Sequence, residues 1–514
     1  MGNTFVSNIK TRVNYWHKML ILILGNILSC SMLIGFCGRY LGVEGVKYLS
    51  LISMLTTVSS ALIIYCEGTF KKVSLGSWFL SCNLELEYNI FSIFMVLLIS
   101  IITTIVIWYS SWYMENEAHR NKFILLLLLF GINMMVLTSS SNYLTLLLGW
   151  EGVGIISYFL INYYFTSLDS NKSAIQAVLY NKVGDIFLMT GIFLLLNESS
   201  FIKIPVYSLD LTNDSLAFGC ILIGCMVKSA QLFFHAWLGN AMAGPTPVSS
   251  LLHSATMVTA GVYLLIRSLP TFLNEGWWLV SVVGLFTIVL GGLAAATQKD
   301  LKKIIAYSTC SQLGYMFLIV GLGAGNIGLY HLLTHGFFKC LLFLCSGIII
   351  HSLYDIQDIR KYGGFIYLSP ISYIFTLIGT LAIVAFPFLS GYYSKELIIE
   401  LSFFKEFPLY AWIIGVLGGL LTSFYSFLLL RSVFFNSPRG PKSAFSEDHT
   451  TPNSIIGVMS ILSAGALWLG YVLYEDMSFL PGRAIFNLDV ELMSAYIKYT
   501  PLSLVIIGMI IAFV

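Results

Sequence analysis

Runs of about 20 mostly apolar residues, the length that crosses a bilayer as a helix, recur along almost the whole chain. They lie near 19–37, 46–65, 89–109, 123–140, 143–163, 174–196, 216–238, 248–268, 277–297, 304–322, 327–350, 370–400, 409–430, 453–474 and 500–514. Backbone inside hydrocarbon must satisfy its own hydrogen bonds, so runs of this length read as helices. The expected fold class is therefore all-α, a polytopic transmembrane helix bundle of about 15 spans. Composition agrees: 57% of residues are hydrophobic and 10% charged, whereas a soluble domain carries about 25% charge. Loops are short, and the longest polar intervals are 66–88, 197–215, 351–369, 431–452 and 475–499.

Other function classes fall away. A formal charge of +2 gives no basic footprint for nucleic acid. The nine cysteines are odd in number and form no CxxC pair. Cys30 and Cys37, Cys220 and Cys225, and Cys340 and Cys345 sit in apolar runs, where cysteine acts as a small hydrophobe. Neither the spacing for an Fe–S cluster nor a GxGxxG or Walker loop is present. No cofactor or metal site is expected in this chain.

Lys10, Arg12 and Lys18 precede the first apolar run, but no small-residue cleavage site closes it, so an anchor is expected there rather than a removed signal. Lys and Arg are spread over both sides of the spans; with the three N-terminal charges set aside, a weak excess favours an outward N-terminus. The expected organisation is N-terminal helices over 1–122, a first half over 123–268, a second over 277–430, and C-terminal helices over 431–514.

An ionisable group at bilayer depth costs at least about 2.5–3.5 kcal/mol and normally marks an ion or proton path. Glu151 stands in LTLLLGWEGVG, Lys182 and Asp185 in YNKVGDIFLMTG, Lys228 in CILIGCMVKSAQLFFHAW and His253 in PVSSLLHSATMVTAGVYLL. His331, His335 and Lys339 follow at i, i+4 and i+8, hence on one helix face. Lys395 and Glu396 follow Pro387. Each has a plainer reading. Lys182 and Asp185 fit an interfacial pair, His235 and His253 fit hydrogen-bonded core histidines, and Glu396 fits a partner of Lys395. Lys228 and Lys339 resist such a reading, because about ten apolar residues on either side prevent snorkelling. Glu151 is similar.

A Lys–Glu couple in a low-dielectric bundle balances charged against neutral forms, so a small change in separation moves a proton. Histidine titrates near neutrality unaided. Such a file suits proton conduction, whereas a sodium site would recruit more carboxylates and carbonyls. Glycine and proline mark helix breaks: AGPTPVSS over 243–250, with Pro245 and Pro247, and Pro387 with Ser390–Gly391. Two interrupted helices in separate halves point to two inverted repeats of transporter type.

KSAQ…HAWL, AMAGPTPVSSLLHSATMVTAGVYLLIRS, TQKDLKKIIAYSTCSQLGYM, HLLTHGFFKCLLFLCSG and HSLYDIQDIRKYGG resemble the antiporter-like membrane subunits of respiratory complex I. IWYSSWYM and LLLGWEGVGIISYFLI narrow the resemblance to the distal, fifth-subunit branch. It runs from about residue 85 to residue 400; the flanking regions match in hydropathy only. The resemblance implies proton translocation through Glu151, Lys182, Asp185, Lys228, His253, His331, His335, Lys339 and Lys395. In it Glu151 pairs with Lys228, His253 links two half-channels, and Lys395 leads to the exit. It also implies that FMN, Fe–S clusters and ubiquinone belong to other subunits. The implied partners are other membrane subunits, above all a neighbouring antiporter-like one, and lipids such as cardiolipin. The short loops resemble organelle-encoded versions and so favour the mitochondrial inner membrane over a bacterial plasma membrane.

The family commonly has proline two residues after KSAQ and Pro-Asp after Trp-Leu, where this chain has Phe233 and Gly239–Asn240. The first broken helix is therefore expected to kink less, or to kink at Gly239. The family's long lateral helix and final anchor are expected to be absent from this chain, with a separate chain supplying them or the product continuing. Two other readings compete: a subunit of a multi-subunit Na⁺/H⁺ antiporter, and a scaffold subunit that does not pump.

Overall fold

The computed structural model describes residues 2–68, 71–77, 83–198, 215–270, 272, 276–403, 408–440, 451–478 and 494–514, with side chains over 23–68, 72–76, 83–196, 215–270, 272, 276–403, 409–440, 451–475 and 494–514. The polar intervals 197–215 and 475–499 lie mostly outside the described residues. The chain divides into two compact units, Met1–Leu160 with Leu195–Ile204, and Ile161–Leu194 with Pro205–Val514.

In the first unit, α1 (Gly2–Glu67) merges two helices across Gly42, whose φ of 67° only glycine adopts freely. The expected spans 19–37 and 46–65 are these two. A hairpin follows, β1 (Lys71–Ser77) and β2 (Asn83–Tyr88), antiparallel with Lys72 opposite Glu87. The all-α expectation missed it, although NLELEY alternates with the period of two that marks a strand. The hairpin is clamped by the turn between α3 (Arg120–Ser139) and α4 (Tyr143–Ile161): Ser141 N donates to Glu85 O at 3.2 Å and Asn142 Nδ2 to Asn83 O at 2.8 Å. Preceding α3, α2 (Ile90–Tyr113) starts on a reciprocal cap between Asn89 and Ser92.

The second unit holds α5 (Leu168–Glu198, which ends beyond it), α6 (Ser215–Lys228), α7 (Ala236–Asn240), α8 (Thr246–Ser254) and α9 (Thr259–Ser268). Next come α10 (Trp277–Thr297), α11 (Leu301–Gly321) and α12 (Gly325–Ser352). After a short α13 (Phe365–Leu368), α14 (Pro370–Val384) leads through a π-helical turn (Tyr392–Glu396) into α15 (Leu397–Ser402). The remainder is α16 (Pro408–Leu430), α17 (Asn453–Ser478) and α18 (Ala495–Phe513). Among the described residues twelve helices are long and apolar enough to cross a membrane, and α6 and α14 are shorter apolar ones. With α1 counted as two, this agrees with about fifteen spans.

Without a hydrophobic force between helices in lipid, close packing needs small residues at the contact. A Cβ on Gly284 would lie 2.7 Å from Gly314 O, and one on Gly291 would lie 2.6 Å from Ser311 N. Glycine thus lets α10 press against α11. It does the same between α5 and α6, where a Cβ on Gly184 would meet Val227 Cβ at 2.7 Å. These contacts fix the faces from which the buried polar groups project.

Candidate functional site

The two interrupted helices end in the same way. In α6 the backbone N–H of Ala230 donates to Val227 O at 3.2 Å and that of Gln231 to Met226 O at 2.9 Å. In α14 the N–H of Ala385 donates to Ala382 O at 3.2 Å and that of Phe386 to Leu381 O at 3.0 Å. Both are Schellman closures, in which the residue after the cap turns left-handed. Here that residue is alanine, Ala230 at φ 50° and Ala385 at φ 71°. Three residues on, Phe233 (φ 71°) and Phe388 (φ 69°) turn left-handed again. Phe234 N then donates to Gln231 O, and Leu389 N to Phe386 O.

These closures correct the sequence reading of the breaks. The first helix is fully interrupted over 229–235, and Gly239 lies inside α7. Pro245 caps α8 and Pro247 lies in its first turn, a position where proline's missing N–H costs nothing. They start a helix rather than break one. Pro387 lies within the second break, between the two left-handed residues.

At the first break Lys228 is buried in the last turn of α6, its Nζ 3.9 Å from Asp185 of α5. Lys182 Nζ lies 3.5 Å from the same carboxylate, with its own side chain 51% exposed. The two candidates of α5 thus separate: Asp185 is buried, and Lys182 reaches outward. Glu151 belongs to the other unit, on α4, half-buried between Gly149 and Gly152. There a Cβ on Gly149 would lie 2.7 Å from Asn133 O of α3, so the GWEG motif lets these helices touch.

Between the breaks run the imidazoles and Lys339, all wholly buried. His335 Nδ1 lies 3.1 Å from Ser254 O. A carbonyl only accepts, so Nδ1 carries a hydrogen; Nε2 has no hydrogen-bond partner among the described residues. Neither ring nitrogen of His253 has a hydrogen-bond partner among the described residues. Buried polar atoms of this kind are met by water. His331 bridges α12 to two other elements, Nε2 at 3.1 Å from Gln312 Oε1 and Nδ1 at 3.0 Å from Ser394 Oγ. Lys339 donates to Ser308 Oγ at 2.6 Å and to Ile305 O at 3.4 Å.

Beyond the second break Lys395 projects from the π-helical turn. Its Nζ donates to Thr422 Oγ1 at 2.8 Å and to Ile383 O at 3.3 Å. Ile383 is in the last turn of α14, where carbonyls lack helical partners. The ammonium also lies over the Tyr315 ring, 5.2 Å from its centre, a cation–π contact. Sequence reading missed Ser308, Gln312, Ser394, Thr422 and Tyr315, and also the buried Lys302, which donates to Gly244 O at 3.2 Å. Lys302 alone carried a signal, as a second lysine in TQKDLKK.

The family model described as NADH:quinone oxidoreductase/Mrp antiporter, TM matches residues 140–422. Another, NADH-Ubiquinone oxidoreductase (complex I), chain 5 N-terminus, matches 74–124. NADH-ubiquinone oxidoreductase chain 5 of Acanthamoeba castellanii is 38% identical over 96% of this chain and 78% of that protein. The chain belongs to the NADH-ubiquinone oxidoreductase chain 5 family. Its counterpart in Rhizopus stolonifer is 40% identical over 88% of this chain and 72% of that protein. A chain in the structure of the Mrp complex from Dietzia sp. DQ12-45-1b shares the fold, with a TM-score of 0.84 at 22% identity. That likeness covers 96% of this chain but 56% of the other.

Proposed function

We propose that this chain carries protons across the mitochondrial inner membrane as a membrane subunit of NADH:ubiquinone oxidoreductase, driven by quinone reduction elsewhere in the complex. The chain 5 family supports the subunit assignment. The observation that carries the mechanism is the buried polar file in the second unit. It comprises Asp185 and Lys228, His253, His335, Lys339, His331 with Ser394, and Lys395 with Thr422. At each transfer the donor loses one N–H or O–H bond and the acceptor gains one, with water spanning gaps beyond hydrogen-bond reach. Glu151 is in this reading a further carboxylate of the proton path.

The second unit's two matching breaks support a repeat, with halves over 123–268 and 277–430. FMN, Fe–S clusters and ubiquinone are assigned to other subunits. Other membrane subunits are partners in this reading, a neighbouring antiporter-like one above all, as are lipids such as cardiolipin. The family model's description also covers Mrp antiporters, which keeps Na⁺/H⁺ exchange as the second reading. In the intact complex, Lys339→Ala and Lys395→Ala each lower the ratio of protons moved to electrons transferred while quinone reduction continues. An unchanged ratio overturns pumping in favour of a scaffold, and a sodium requirement at fixed pH favours the antiporter.

A further inference from the structure

Lys395 is met by acceptors whose own hydrogens are engaged elsewhere. Thr422 Oγ1 takes a hydrogen bond from the ammonium at 2.8 Å and gives its hydrogen to Gly419 O at 2.8 Å. Ile383 O, the other acceptor at 3.3 Å, has no hydrogen to give. An ammonium carries three N–H groups, and the third is left for the Tyr315 ring, whose centre lies 5.2 Å from Nζ. That ring is held in place from α16. Tyr315 OH donates to Gly415 O at 2.7 Å, and Gly418 leaves room for it, since a Cβ there would lie 2.5 Å from the phenolic oxygen. Gly415, Gly418 and Thr422 stand at i, i+3 and i+7 on α16, on one helix face. Tyr315, Lys395 and Thr422 are all buried. Two titratable groups adjoin the turn, Glu396 next in the chain and His331 through Ser394. Among the described residues only Thr422 and Ile383 take hydrogen bonds from Nζ.

Resting on the proton-carrying reading above, we infer that Tyr315 is a positioning residue whose ring face keeps Lys395 loaded between transfers. An aromatic face attracts a cation through its quadrupole and does little for a neutral amine. The neutral amine also turns a lone pair towards groups that have no hydrogen to offer it, because Thr422 and Tyr315 donate to carbonyls of α16. The pocket therefore favours the ammonium. At each passage Lys395 loses one N–H and regains one along the file, and Tyr315 keeps its hydrogen throughout. The phenol serves only to aim the ring. When it is removed, Gly415 O keeps its helical partner within α16, so no carbonyl is orphaned.

The test compares Tyr315→Leu with Tyr315→Phe in the intact, membrane-bound complex, reading the ratio of protons moved to electrons transferred. Loss of the face lowers the proton affinity of Lys395 by about two- to thirtyfold at the usual strength of such a contact. Tyr315→Leu is therefore expected to lower the ratio, while Tyr315→Phe, which keeps the face, stays close to wild type. In a Lys395→Ala background Tyr315→Leu is expected to add no further loss. A wild-type ratio in Tyr315→Leu, an equal loss in Tyr315→Phe, or losses that add in the pair overturns the inference. If Tyr315→Leu does not assemble, Tyr315→Phe decides by itself: a ratio near wild type upholds the ring face, and a clear loss overturns it. The parent reading fails separately, through an unchanged ratio in Lys395→Ala.

Discussion

The helix break after Lys228 and the one before Lys395 share the same hydrogen bonds and the same pair of left-handed residues, an alanine and a phenylalanine three apart. Their lysines are placed differently. Lys228 precedes its break and faces a carboxylate, Asp185. Lys395 follows its break and is held by a hydroxyl, a carbonyl and an aromatic face. One backbone device thus serves two electrostatic settings. Where a carboxylate faces the ammonium, a proton cannot leave without exposing a buried anion. Where a hydroxyl and a carbonyl hold it, discharge breaks no direct ion pair.

The sharpest way to break this comparison is to remove the charge at each end. Asp185→Asn takes away the anion that Lys182 and Lys228 share, and opening a buried pair costs about 3–5 kcal/mol. Lys395→Ala removes a cation whose hydrogen bonds go to a hydroxyl and a carbonyl, at about 1–3 kcal/mol. The content of assembled complex on native gels is expected to fall far more in the first variant; equal losses would erase the distinction.

Next come the close approaches. Gly391 lies against the backbone carbonyl of Ala382, whereas a Cβ on Gly239 would meet the Tyr307 hydroxyl at 2.6 Å. A side-chain end can swing aside and a backbone carbonyl cannot. Gly391→Ala is expected to cost about 1–3 kcal/mol, read as a lower midpoint of thermal inactivation, and Gly239→Ala distinctly less. The smallest effect tests the shared closure itself. A left-handed non-glycine residue costs about 1–2 kcal/mol, so Ala230→Gly and Ala385→Gly are expected to raise that midpoint slightly, and alike. Opposite signs would show that the two breaks are strained differently.

The breaks also show what could be read from the chain alone. Pro387 flagged the second, and its left-handed residues flank the proline. The first contains neither glycine nor proline, so the search for those residues settled on Gly239, which sits in a helix. Alanine in the left-handed region has no sequence signature, because only the surrounding fold forces it there. The hydroxyl partners escaped for a related reason. Ser308 and Thr422 also donate to carbonyls three residues back, at 2.8 Å each. In an apolar helix that is the ordinary resting state of a serine or threonine, and nothing in the string tells which also faces a lysine. Lys228, Lys339, Lys395 and the buried histidines were legible because their cost in hydrocarbon leaves few innocent explanations.

From its order of residues alone, then, this chain is committed to the membrane, to helices and to a set of ionisable groups stranded at depth, since hydropathy and helical period act over a few turns. Which group meets which was settled only when helices distant in the chain packed together. Lys395 and Thr422 are 27 residues apart, His331 and Ser394 63, and His335 and Ser254 81. Those pairings rest on glycine contacts and backbone closures that position whole helices, and hydrogen bonding, unlike burial, requires atoms placed to a fraction of an ångström.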